Sequence, residues 1–116
     1  MHVKRFVDVR PYEAQNHRGV VGLRLQGFER GGPENQWIGY SQFLPGGGAG
    51  PDSTPFEKIY VVLGGRMTVI VDGEATLLGP MDSCTIAPNE VRELINRDNE
   101  VCRMLVVVPY GPGVQP

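Results

Sequence analysis

Glycine and proline recur so often along this chain that long helices are excluded. The 116 residues include 16 glycines and 10 prolines, and both residue types interrupt regular helices. The segments between them are short and rich in Val and Ile, the β-branched residues that favour strands. The sequence therefore predicts an all-β domain of about eight or nine short strands.

The predicted strands follow from this alternation of apolar segments and turn residues. They are Val3 to Val9, Val20 to Leu25, Trp37 to Leu44, Lys58 to Leu63, Arg66 to Val71, Glu74 to Leu78, Ser83 to Ala87, Val91 to Ile95 and Val101 to Val108. Asp72-Gly73 is the strongest hairpin signal, because a type I′ turn needs positive φ at both central residues. Gly64-Gly65 also suits a turn with positive φ. We expect Gly46 to Pro51 to be flexible, and Pro11 to His17 to form either a helical turn or a crossing loop.

The length and termini set the domain organisation. A chain of 116 residues is long enough for one hydrophobic core and too short for two. We therefore expect a single domain over residues 1–116, with an N-terminal strand and arm over 1–44 and a loose tail over 111–116.

Charge and composition exclude several partners. Lys and Arg total 11 against 13 Asp and Glu, a formal charge of −2, so no basic excess is present to bind nucleic acid. No apolar stretch is long enough to cross a membrane, and Met1 to Arg5 lacks the features of a signal peptide. We expect a soluble cytoplasmic protein without a membrane partner. Cys84 and Cys102 lack CxxC spacing, so we expect buried reduced thiols, with one disulfide as the minor alternative.

From Pro45 onward the sequence resembles the cupin family of β-barrels. The first cupin motif is a Gly, five residues, His-x-His, three or four residues, Glu, six residues and a Gly. Gly46, Asp52-Ser53-Thr54, Lys58 and Gly65 reproduce that spacing. The resemblance covers residues 45–109 and implies a cupin-like antiparallel β-barrel, also described as a double-stranded β-helix or jelly roll.

The second cupin motif matches the stretch after the central hairpin. It corresponds to Met81 through Ala87-Pro88-Asn89 to Arg92 and Asn96, of which Asn96 matches the motif in residue type. Asn89 would take the left-handed conformation that the family's Gly usually supplies.

The resemblance places the family's metal-ligand positions on residues of other types, namely Asp52, Thr54, Lys58 and Arg92. A charged ammonium or guanidinium has no lone pair to give to a metal ion. These departures from the family's ligand types predict a barrel with no metal and no cofactor. A frame shifted by one residue would make Glu57 and Glu93 ligands of a divalent metal, but it loses the Gly46 and Asn96 matches, so it remains a further alternative.

Alternation along the strands predicts a cationic pocket. Lys58 and Tyr60 share one face of their strand, and in the family register Arg92 points into the same cavity. Such a pocket favours a small organic anion, above all a carboxylate. Arg92 would bind it in a fork, and Lys58 would be a second anchor or a catalytic acid or base. The full candidate set is Asp52, Thr54, Lys58, Tyr60, Arg92, Tyr40 and Gln42, the last two adding hydrogen bonds from the neighbouring strand.

Several alternatives stay open at this point. The pocket would serve either a binding module or a metal-independent isomerase, lyase or decarboxylase acting on a small carboxylate. In a purely structural alternative, Lys58 and Arg92 pair with Asp52 and with Glu90 or Glu93 and only fill the former metal site.

Two expectations lie outside the motifs. His17 is close enough to reach the mouth of the barrel, but we expect a surface imidazole. Val3, Phe6 and Val7 offer apolar surface to a second copy of the chain, and small cupins commonly dimerise, so we expect a homodimer.

Overall fold

The structure is a computed structural model that describes residues 1–111, and it confirms the predicted all-β class. Its strands are β1 (Pro11–Tyr12), β2 (His17–Gln26), β3 (Gln36–Asp52), β4 (Lys58–Gly64), β5 (Met67–Val71), β6 (Glu74–Leu78), β7 (Ser83–Ile86), β8 (Arg92–Ile95) and β9 (Cys102–Pro109). The helical structure in this range is a single 3-10 turn over Phe6–Asp8.

The strands form one antiparallel sheet that curls into a nearly closed barrel. Its order is β6-β5-β8-β3-β9-β4-β7, with β2 paired to β3 and β1 paired to β2. The two end strands, β6 and β7, lie on either side of a groove lined by residues of both, including Thr76, Leu78, Cys84 and Thr85. The predicted antiparallel barrel is therefore confirmed.

The predicted turn chemistry is confirmed where positive φ is required. Asp72 has φ 51° and Gly73 has φ 75°, and they join β5 to β6 with Val71 facing Glu74. Gly65 has φ 73° and Asn89 has φ 64°.

The glycine-rich segment from Gly46 to Pro51 forms part of β3, and its prediction as a flexible loop is wrong. Gly48 faces Ile95 and Ala49 faces Leu94 in the pairing of β3 with β8. A Cβ at Gly48 would collide with the carbonyl oxygen of Leu94. Glycine is needed there because the two backbones approach more closely than a side chain allows.

The N-terminal segment also departs from its prediction. A strand from Val3 to Val9 is wrong, because local hydrogen bonds at Asp8 and Val9 close the 3-10 turn. The segment from Pro11 to His17 contains the short strand β1, in which Tyr12 faces Gly22 of β2. The tail that was predicted to be loose lies beyond the described residues, apart from Gly111.

The core is formed by the inward residues of the barrel strands, with Val62, Met67, Leu94 and Cys102 almost fully buried. Both cysteines are free thiols, as predicted, but only Cys102 of the two is buried, and Cys84 is half-buried. Within residues 1–111 no helix is long and apolar enough to span a membrane.

Candidate functional site

A cavity of about 340 Å³ is bounded by β2, β3, β4, β8 and β9. Five of the seven predicted site residues line it, namely Asp52, Thr54, Lys58, Tyr60 and Arg92. The two motif loops are joined beside it, since the backbone N–H of Asn89 donates to the carbonyl of Thr54 at 2.7 Å. The spacing of the two motifs thus brought these five side chains together as predicted.

Lys58 is a buried cation inside this cavity. It begins β4, where alternation buries it together with Tyr60 and leaves Ile59 exposed. The Lys58 side chain has no hydrogen bond or ion pair with any part of the chain the structure describes, and its Nζ lies 5.9 Å from the Tyr60 ring centroid. Desolvation, followed by repulsion from Arg92, lowers the pKa of Lys58 to about 8.

Arg92 is held in place by two hydrogen bonds from its guanidinium. Its Nε donates to the Tyr60 hydroxyl at 2.9 Å, and its Nη1 donates to the Gly50 carbonyl at 2.9 Å. Nη2 donates to no acceptor within residues 1–111. The Tyr60 oxygen accepts from Arg92, so its own hydrogen stays available, and burial raises the pKa of Tyr60 and keeps it neutral.

No carboxylate oxygen of residues 1–111 lies within 4.0 Å of the Lys58 or Arg92 nitrogens. Asp52 faces Arg92 in the β3–β8 register, but it is exposed and accepts the N–H of the next residue. Glu90 accepts a backbone N–H of its own loop, and Glu93 does not line the cavity. The salt-bridge network considered from the sequence is therefore wrong.

The donor set does not fit a divalent cation. The family's ligand positions contain Lys58 and Arg92, which have no lone pair to donate while charged. The alternative frame is wrong, because Glu57 is exposed and neither Glu57 nor Glu93 lines the cavity. In the described part of the chain no three His, Cys, Asp or Glu side chains are arranged to hold a metal.

Tyr40 and Gln42 lie on the other face of β3, so their assignment to the pocket is wrong. The Tyr40 hydroxyl lies 3.4 Å from Gln42 Nε2, and its ring meets Phe6 edge-on at 6.2 Å. The cavity is lined instead by Ser41 and Phe43, since the odd-numbered residues of this part of β3 point inward.

His17 lines the cavity, and its prediction as a surface residue is wrong. Its Nδ1 lies 2.6 Å from the carbonyl oxygen of Gln15, and a carbonyl only accepts, so Nδ1 bears the hydrogen. Nε2 then has a free lone pair. Desolvation lowers the pKa of His17, and the charges of Arg92 and Lys58 lower it further. His17 is therefore neutral at physiological pH.

Aromatic side chains also line the cavity, where Tyr12 and Trp37 lie beside Arg24. The Arg24 guanidinium carbon lies 4.6 to 4.7 Å from the ring centroids of Tyr12, Phe28 and Trp37. The Trp37 Nε1 hydrogen is buried without an acceptor among residues 1–111. The cavity thus combines the buried cations Lys58 and Arg92 with an aromatic cluster around Arg24. The sequence held no signal for the aromatic cluster, because its members lie outside the two cupin motifs.

Comparisons with known proteins agree with this architecture. The family model described as the Cupin domain matches residues 39–108. A Mycobacterium tuberculosis protein named beta-D-galactosidase is 41% identical over 110 residues, which are 95% of each chain.

Solved structures share the fold at low identity. The polyketide cyclase RemF from Streptomyces resistomycificus has a TM-score of 0.83 and 21% identity, covering 94% of this chain and 79% of its own. A protein from Thermotoga maritima described as a predicted oxalate decarboxylase has a TM-score of 0.79 and 22% identity, covering 95% of this chain and 100% of its own. At these identities the likeness concerns the fold alone.

Proposed function

The chain belongs to the cupin family, and we propose that its cavity binds a compact organic anion through Lys58 and Arg92 without a metal ion. One observation carries the proposal. Two buried cations line the same cavity, and in the described part of the chain neither has a carboxylate partner. Burying charges without compensation is costly, so a ligand that supplies the negative charge is favoured.

The free donors suit a carboxylate. Arg92 Nη2, the Tyr60 hydroxyl hydrogen and the Lys58 ammonium are donors without protein acceptors in residues 1–111, and charge-assisted hydrogen bonds are the strong ones. The two hydrogen bonds that hold the Arg92 guanidinium fix its orientation before the ligand arrives. The cavity volume of about 340 Å³ is near the lower end for ligand pockets, which favours a small molecule.

Thermal-shift measurements test this proposal. Small mono- and dicarboxylates should raise the melting temperature of the wild type, and their neutral amides should not. A ligand at one hundred times its Kd adds about 2.7 kcal/mol of stability. Arg92→Met should abolish the shift, whereas Arg97→Met, at an exposed arginine, should retain it. A wild type that no carboxylate stabilises would contradict the proposal.

A second candidate function is hydrolysis of β-galactosides. The specific observations are the full-length relative named beta-D-galactosidase and two exposed carboxylates, Glu13 and Asp52, that line one cavity. Most glycosidases use such a pair, one as acid and one as nucleophile or base. Aromatic side chains such as Trp37 and Tyr12 are suitable surfaces for a sugar ring.

Release of nitrophenol from a nitrophenyl β-galactoside tests this candidate. Glu13→Gln and Asp52→Asn should each lower kcat by about a hundredfold or more. Glu57→Gln should leave kcat unchanged, because Glu57 is exposed and does not line the cavity. Undiminished turnover in both cavity variants would exclude these two carboxylates from catalysis.

We also propose a homodimer in a reducing compartment such as the cytoplasm. Phe6 and Val7 are 61% and 83% exposed, and a second copy of the chain would cover this apolar surface. The two free cysteines support a reducing environment. Sedimentation at micromolar concentration should give a dimer, and Phe6→Ser should shift it toward monomer.

A further inference from the structure

The chain has two lysines, Lys4 and Lys58, and their surroundings are opposite. Lys4 Nζ donates to the Arg24 carbonyl at 3.0 Å and lies 3.8 Å from Glu29 Oε1. Lys58 is 7% exposed, lines the cavity, and has neither contact of this kind within residues 1–111. One amine is therefore fixed as an ion-paired ammonium, and the other faces a cavity that admits a ligand.

We propose that Lys58 is a carbonyl-reactive amine, and that the ligand is a 2-oxo acid or a similar small anion with an aldehyde or ketone group. This inference rests on the proposed anion-binding function and names its ligand class. Arg92 and Tyr60 would hold the carboxylate, and the neighbouring carbonyl carbon would face Lys58 Nζ.

The covalent step is a simple condensation. The neutral amine adds its lone pair to the carbonyl carbon, and a proton moves from nitrogen to oxygen to give a carbinolamine. The carbinolamine then loses water, which contains the carbonyl oxygen and both amine hydrogens, and the C=N bond of an imine forms. No oxidant or reductant is consumed. Desolvated lysines beside a second cation are suited to such chemistry, because the neutral amine is the nucleophile.

The surroundings of Lys58 favour the neutral amine. Desolvation lowers the pKa of Lys58 most, and repulsion by the positive charge of Arg92 acts in the same direction, so this pKa falls to about 8. A substantial fraction is then neutral at physiological pH, unlike an ordinary lysine. The positive charge of Arg92 would at the same time hold the anionic end of the ligand against the nucleophile.

Reductive trapping tests the inference. The wild type is incubated with pyruvate and sodium cyanoborohydride, and the modified peptides are located by mass spectrometry. We expect one adduct per chain on Lys58, formed at least about tenfold faster than any adduct on Lys4 or the N-terminus, because only Lys58 is both neutralised and placed in a cavity. Lys58→Arg should remove this adduct, and Lys4→Arg should leave it.

A second ligand distinguishes a failure of this inference from a failure of the proposed anion binding. Propionate has the carboxylate without the carbonyl, so it should stabilise the wild type thermally without forming an adduct. Stabilisation by propionate together with pyruvate labelling spread equally over the three amines would overturn the inference and leave anion binding intact. The wild-type peptide map decides this even if Lys58→Arg fails to fold.

Discussion

Arg92 and Asn96 are two buried polar side chains on the same inward face, and they differ in how completely the protein hydrogen-bonds them. Arg92 begins β8 and Asn96 follows its end, and they are 5% and 0% exposed. The Asn96 amide lies within hydrogen-bond distance of four backbone groups, the carbonyls of Phe43, Leu44 and Glu100 and the N–H of Asp98. Arg92 makes two hydrogen bonds and has donors left over.

The difference separates a structural position from a binding position. A buried polar group that is fully hydrogen-bonded by the protein stabilises the fold, and removing it leaves several partners unsatisfied. A buried charge with unused donors beside a cavity instead suits a ligand. Asn96 therefore belongs to the framework of the barrel, and Arg92 together with Lys58 belongs to the candidate site.

The largest expected effect is that of removing the Asn96 amide. Asn96→Ala should lower the free energy of unfolding by about 3 kcal/mol, because buried backbone groups lose their partners and a small cavity remains. Urea unfolding of this variant and of Asn99→Ala, at an exposed position, measures the difference. If Asn96→Ala lost less unfolding free energy than Arg92→Met, the assignment of Asn96 to the framework and of Arg92 to the site would be contradicted.

Arg92→Met should cost less in the absence of ligand. The Gly50 carbonyl loses its donor, which costs about 1 to 3 kcal/mol, but removing the guanidinium also relieves its repulsion of Lys58. We expect a net loss of about 1 kcal/mol by urea unfolding. A loss of about 3 to 5 kcal/mol would indicate a buried carboxylate partner of Arg92 after all.

The sequence predicted the barrel and the convergence of Lys58 and Arg92 on its cavity, for physical reasons that the structure makes clear. Asp72-Gly73 has few alternatives to a tight hairpin, and motif spacing with strand alternation fixed the inward direction of Lys58 and Arg92. The prediction for Tyr40 was wrong because the pairing of β3 with other strands decides whether its odd-numbered or its even-numbered residues face inward. The prediction for His17 was wrong for a related reason. His17 pairs with Ala49, which lies in a glycine-rich stretch that was expected to be flexible.

The pKa shifts of His17, Tyr60 and Cys84 move their titrations away from that of Lys58. Desolvation lowers the pKa of His17 below its usual range and raises that of Tyr60 above its own. The pKa of Cys84, on the neighbouring strand β7, is raised as well. Desolvation and then Arg92 lower the pKa of Lys58, and Asp52 partly opposes this shift. Around pH 8, Lys58 thus changes charge without a simultaneous titration of His17, Tyr60 or Cys84.

Raising the pH through 8 should change stability and anion binding in opposite directions. The folded-state pKa of Lys58, about 8, lies below its unfolded value of 10.5. Between these values the unfolded chain binds more protons, so the stability of the ligand-free protein should rise with pH. Carboxylate affinity should fall by about tenfold from about pH 7 to about pH 9, because the cation that binds the anion is lost. Calorimetric titration with propionate at both pH values checks this, and Lys58→Met should bind more weakly with little change between them. An affinity that is independent of pH in the wild type would place Lys58 outside the anion site.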